Sequence, residues 1–158
     1  MEGVVMGKSK VYFAHPMELD GSGLLDESGK RAVEARGLLG EKFEVWVPEE
    51  HQAQNRTEQK KIDLDALDSA DLIIADLYHF GLDINGAMLL GLGTNREIGF
   101  AFGKNKHSKK KLPIILVVRQ VKNFHCFDKE DTYENYGITK ICSSLAEACE
   151  YIRKNYEG

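Results

Sequence analysis

At 158 residues the chain suffices for one domain and can bury roughly two-thirds of the surface its unfolded form exposes. A formal net charge of −4, with 42% hydrophobic and 29% charged residues, is ordinary for a globular protein and argues against an electrostatic hold on nucleic acid or anionic membrane. No apolar run approaches the roughly 20 residues that span a bilayer, and Met1–Lys10 lacks the apolar core of a secretory signal. A cytoplasmic location and a small-molecule partner are therefore expected.

Val11-Tyr-Phe-Ala-His15, closed by Pro16, has the pattern of a buried first strand. After a loop over Glu18–Gly23, apolar residues at Ala32, Ala35 and Leu39 predict a helix over Asp26–Leu39. Phe43–Val47 reads as the second strand and Thr57–Ala70 as the second helix. Leu72–Leu77 reads as the third strand, Asn95–Phe102 as the third helix, and Leu112–Val118 and Gly137–Cys142 as the last two strands. Ser144–Tyr156 closes the chain as a helix with Leu145, Ala148, Cys149 and Ile152 on one face. Strands alternating with helices predict an α/β fold: a single domain over residues 1–158, doubly wound and flavodoxin- or Rossmann-like, with five parallel strands in the order 2-1-3-4-5. The unbroken apolar runs of strands three and four agree, because such strands are covered on both faces. Lys104–Lys111 and Asn123–Tyr136 are expected to be loops, the five lysines of the first forming a solvated surface rather than a phosphate site.

The chemistry concentrates around Gly91-Leu-Gly-Thr-Asn-Arg-Glu97, read as a glycine-rich turn opening the third helix with Glu97 in its first turn. A carboxylate there would lie beside unsatisfied backbone N–H groups, at the carboxyl edge of the sheet, where open α/β folds bind ligands. On the second helix, spacing at 100° places Ile62, Leu64, Ala66, Leu67 and Ala70 in one apolar arc, with Asp65, Asp68 and Ser69 opposite. Asp63 falls inside the arc. A buried carboxylate is costly unless bonded, paired or used, and Gln59, one turn earlier, can support it. The competing reading of Asp63 is a buried ion pair or a cap. Two acids sharing a cleft suit chemistry at an acetal carbon, one as nucleophile and the other handling protons or hydrogen bonds.

Asp71 reads as a cap at the start of the third strand. Asp76 leaves that strand on the ligand side, and Asp83 lies in the loop beyond; both are candidate substrate contacts. Tyr12 either packs in the core or points along the cleft. His15 and Pro16, at the exit of the first strand, are further candidate contacts, with a structural role for His15 as the alternative. The five histidines show no metal-ligand spacing, so no metal is expected. Three cysteines without a C-x-x-C pair predict reduced thiols, with Cys142 and Cys149 filling space. Arg96 stands where a dinucleotide fingerprint needs its third glycine, and no Walker pattern occurs. No cofactor is expected.

These residues resemble the nucleoside 2-deoxyribosyltransferase family, related to the deoxynucleoside 5′-monophosphate N-glycosidases. Val11-Tyr-Phe-Ala-His-Pro16, Asp63–Asp71, Leu72–Asp76 and Gly93-Thr-Asn-Arg-Glu-Ile-Gly-Phe-Ala101 carry the likeness, the last most specifically. The resemblance implies that Glu97 attacks C1′ and releases the base, giving a glycosyl-enzyme that a second base or water resolves. It implies that Asp63 supports sugar and base, that Tyr12 orients the glutamate, and that Gly93 and Thr94 lie against the substrate. Where many members carry an aspartate six residues before the nucleophile, this chain has Gly91; Asp76 or Asp83 is the candidate substitute. Met17-Glu-Leu-Asp20 is too acidic for the phosphate loop of the monophosphate hydrolases, which favours an unphosphorylated nucleoside. The resemblance also implies a homo-oligomer in which Asn123 or Asn135 reaches a neighbour's site.

The partners expected are a nucleoside or nucleotide and a free nucleobase. Two alternatives stay open: a nucleoside 5′-monophosphate N-glycosidase, and a non-catalytic nucleotide-binding sensor on the same fold. A nucleoside-monophosphate ribohydrolase motif of the lysine-decarboxylase-like group overlaps Gly91–Glu97, but Leu90 replaces its preceding glycine.

Overall fold

Five short apolar segments form five parallel strands, and the amphipathic segments between them form the helices that cover both faces. The computed structural model describes residues 7–15, 24–78, 92–118 and 138–157, with backbone alone for 24–28, 49 and 92–96. The elements are β1 (Ser9–Ala14), α1 (Leu24–Leu39), β2 (Phe43–Trp46), a 3-10 turn (Pro48–His51), α2 (Arg56–Ser69), β3 (Leu72–Asp76), α3 (Leu92–His107), β4 (Ile114–Val117), β5 (Ile138–Cys142) and α4 (Leu145–Tyr156). The strand order is β2-β1-β3-β4-β5, as expected from the sequence.

Local chemistry fixes the boundaries. Asn55 caps α2 by accepting the Glu58 N–H at 2.9 Å, and Ser144 caps α4 by accepting that of Glu147 at 3.1 Å. Glu147 reaches back beyond the cap and accepts the Ser143 N–H at 2.9 Å, tying the approach of the chain to the first turn. Gly40, at φ 76°, ends α1: its N–H bonds the Arg36 carbonyl at 3.0 Å in the left-handed conformation that favours glycine. Asp71 caps the start of β3 as the sequence suggested, its Oδ2 accepting the Lys10 N–H at 2.8 Å.

Alternation along each strand sends side chains to two cores. Val11, Phe13, Leu72, Ile74, Ile115 and Val117 pack under α1 and α4. Tyr12, Ile73, Ala75, Ile114 and Leu116 pack under α2 and α3 with Leu67, Ala70 and Ala101. Every residue of β3 and β4 is buried, which accounts for their unbroken apolar sequence. Cys142 and Cys149 are free thiols within the first core.

Two expectations are corrected. The third helix begins at Leu92, not Asn95, and continues to His107, not Phe102. Glycines in a first turn cost only about 1 kcal/mol each, and Lys104, Lys106 and His107 complement the negative end of the helix dipole. The first half of the lysine-rich stretch is therefore helical. Ile62 lies outside the buried arc of α2 and is 36% exposed, because the packed face centres on Leu67 and Ala70. Among the described residues no helix is long and apolar enough to cross a membrane.

Candidate active site

In a parallel sheet every strand ends at the same edge, so α3, which follows β3, has its amino-terminal turns near the carboxyl edge. Glu97 is the sixth residue of α3 and therefore stands in its second turn, not its first. The backbone N–H groups at that position are already bonded within the helix. A hydroxyl takes the role expected of them: Tyr12 of β1 donates its O–H to Glu97 Oε1 at 2.6 Å. The contact lies at the short end of the range for an O–H donor. Tyr12 is fully buried and Glu97 half-buried, so the carboxylate is held from beneath by the core.

Asp63 of α2 is half-buried on the same side of the sheet, one turn before the buried Leu67. Gln59 supports it as its spacing suggested, donating to Asp63 Oδ1 at 2.8 Å. The same Gln59 amide accepts the Ala53 N–H at 2.8 Å and donates to the His51 carbonyl at 3.4 Å, tying the 3-10 turn to α2. Farther along both helices, Lys104 Nζ meets Asp68 Oδ1 at 3.1 Å and sets α2 against α3. Counting back toward the carboxyl edge, Asp63 lies about 7.5 Å and Glu97 about 10.5 Å of helix rise before that bridge. The two acids thus stand at comparable heights on adjacent helices.

Three aromatic rings flank the pair. Parallel register places Tyr12 beside Trp46 of β2. Their rings stack with centroids 5.0 Å apart and an angle of 22° between planes. The distance is close to the spacing of adjacent strands, and the angle to the rotation that sheet twist imposes between them. His51 also stacks on the indole, with centroids 4.7 Å apart and planes 3° from parallel. Neither Trp46 nor His51 stood out in the sequence. Their signal was register: strands one and two pair directly, but which residue opposes Tyr12 depends on where each strand begins.

The remaining candidates divide between locations. Asp76, 3% exposed, faces the α1 side of the sheet, opposite to Tyr12. Arg31 of α1 clamps it with both prongs, Nε to Oδ2 at 2.5 Å and Nη2 to Oδ1 at 2.9 Å, and the guanidinium lies 4.4 Å from the centre of the Tyr78 ring. His15, 5% exposed, lies one step beyond β1 with its ring 5.8 Å from that of Phe13. It belongs to the same side as Asp76. Gly93 and Thr94 fall in the first turn of α3. Pro16, Asp83, Gly91, Asn123 and Asn135 lie outside the described residues. Among the described residues no three metal-binding side chains cluster.

No protein-family model matches the sequence, and no curated protein does. Solved structures do match. The 2-deoxyribosyltransferase from Leishmania mexicana superposes with a TM-score of 0.63 at 17% identity, over 94% of this chain and 99% of that one. A CMP N-glycosidase from Clostridium botulinum gives 0.59 at 20% identity, over 92% and 98%. The 2-deoxyribosyltransferase of Bacillus psychrosaccharolyticus gives 0.54 at 16%, over 90% and 92%. The chain has the fold of these proteins along nearly its whole length, as the sequence motifs anticipated.

Proposed function

We propose that the chain cleaves the N-glycosidic bond of (deoxy)nucleosides, Glu97 attacking C1′ and passing the 2-deoxyribosyl group to a second base or to water. The observation that carries this reading is the Tyr12 hydroxyl on Glu97 at 2.6 Å. A nucleophile at an oxocarbenium-like carbon must be ionised, fixed and aimed. A single buried donor achieves the first two by favouring the charged form and holding one oxygen. Asp63, at a similar height on the adjacent helix, supplies the second carboxyl group for the sugar hydroxyls or the departing base. The base leaves with the electron pair of the C1′–N bond and takes up a proton. The acceptor, a second base or water, then attacks C1′ and gives up a proton, while the C1′–O bond to Glu97 breaks and the carboxylate leaves with its electron pair.

The enzymes that share this fold support transfer and hydrolysis alike, since the glycosyl-enzyme is common to both and only the acceptor differs. The CMP N-glycosidase among them supports a second reading, hydrolysis of a nucleoside 5′-monophosphate. Incubation with 2′-deoxynucleosides, with and without a free acceptor base, separates the possibilities. A new nucleoside identifies a transferase, and free sugar with base a hydrolase. Release from monophosphates alone moves the substrate to nucleotides. In each case Glu97→Gln should abolish turnover. Binding without turnover, or full activity in Glu97→Gln, would overturn the proposal.

A further inference from the structure

We propose that Trp46 is a positioning residue for this reaction: stacked on Tyr12, it aims the phenol hydroxyl at Glu97. The inference rests on the reading of Glu97 as nucleophile but makes a separate claim about what holds it. Tyr12 lies on an interior strand and its ring is fully buried. The indole of the neighbouring strand stacks on it, with centroids 5.0 Å apart. Since the hydroxyl is the atom of the ring farthest from the backbone, a small tilt of the ring carries it off the carboxylate. A misplacement of about 1 Å is enough to cost on the order of 10²-fold in rate.

The indole is engaged by two rings of the chain itself, stacking with both Tyr12 and His51. His51 is itself kept in place. Gln59 bonds the His51 carbonyl and the Ala53 N–H, and Arg36 bonds the Val45 carbonyl at 3.0 Å and forms an ion pair with Glu50 in the same turn. The result is a continuous run of contacts from one acid to the other: Asp63, Gln59, the His51 turn, Trp46, Tyr12, Glu97. Trp46 is the step at which this run crosses from the edge strand to the centre of the sheet.

Four variants test the assignment: Trp46→Leu, Trp46→Phe, Tyr12→Phe, and Trp46→Leu combined with Tyr12→Phe. Trp46→Leu should lower kcat by about tenfold to a hundredfold with KM little changed, and Trp46→Phe should restore most of it, since a flat ring suffices. In the Tyr12→Phe background, removing the indole should cost little more, because its effect passes through the missing hydroxyl. An unchanged kcat, a change in KM alone, or losses that multiply independently would overturn the proposal. A crystal structure of Trp46→Leu gives a readout without turnover. The Tyr12–Glu97 contact should open beyond about 3.5 Å, and a contact kept below about 3.2 Å would overturn the assignment. Full activity in Glu97→Gln would defeat the catalytic reading instead, leaving this structural readout in force.

Discussion

One hydroxyl and one guanidinium carry the sharpest expectations about single residues. Tyr12→Phe keeps the ring, its packing and the stack on Trp46, and removes only the donor to Glu97. A hydrogen bond to a charged group contributes about 1.5–3 kcal/mol, so kcat should fall about tenfold to a hundredfold while the melting temperature stays near that of the parent; steady-state kinetics and thermal unfolding check both halves. Arg31 and Asp76 form the opposite case, a pair with side chains only 14% and 2% exposed and no place in the proposed chemistry. Arg31→Met leaves a buried carboxylate without its partner and should destabilise the fold by about 3–5 kcal/mol in urea titrations. Arg31→Met combined with Asp76→Leu should recover most of that loss, because two apolar side chains leave no charge stranded. Asp76 was read as a substrate contact because it ends a strand at the ligand edge. Its sequence position is the same whether it faces a ligand or an arginine, and Arg31 lies too far along the chain for the pairing to be visible there.

Elements differ in how openly the sequence announced them. Caps and apolar spacing placed α2 and α4 to within a residue or two, and Asp71 was legible as a strand cap. The start of α3 was not legible, because glycine is both the common breaker of a helix and a tolerated member of its first turn. That ambiguity moved Glu97 by one turn, and with it the source of its stabilisation from backbone dipole to tyrosine hydroxyl. Two predictions belong here. Ser144→Ala removes the cap of α4 and should cost about 1 kcal/mol of stability, measured by denaturant unfolding. At the junction of β1 and β3, partial burial pushes the Asp71 carboxyl upward, but the Lys10 N–H and the Lys110 ammonium outweigh it and hold the group below its ordinary range. A lowered folded value means that this contribution is complete above the unfolded pKa of about 4 and fades as pH falls through the lower folded one. Asp71→Asn should therefore lower stability most at neutral pH and least at the acid end, flattening the acid limb of a stability–pH profile.

For the whole molecule, strand order and the two-sided core were legible from alternation of segment types and from the apolar runs of β3 and β4. Which side chains meet across the sheet was not, because register depends on where each strand begins, and the pairing of Tyr12 with Trp46 follows from register alone. The depth of the core on the α1 and α4 side yields a global test. Burial, aided by the nearby negative charge of Glu147, pushes the Cys142 thiol up to about 11; burial with Glu34 pushes that of Cys149 to about 12. Thiolate is the reactive form, so at pH 8 both should resist alkylation until the protein unfolds, with mass spectrometry of digested samples locating each label. Rapid modification of either one in the folded protein would contradict the packing described. The same sheet that buries these thiols also works as a partition. Odd-numbered positions of β1 face the α1–α4 core and even-numbered ones the side that holds Glu97, so a designer can repack the first core for durability while keeping Arg36, whose bonds to Val45 and Glu50 brace the turn behind Trp46.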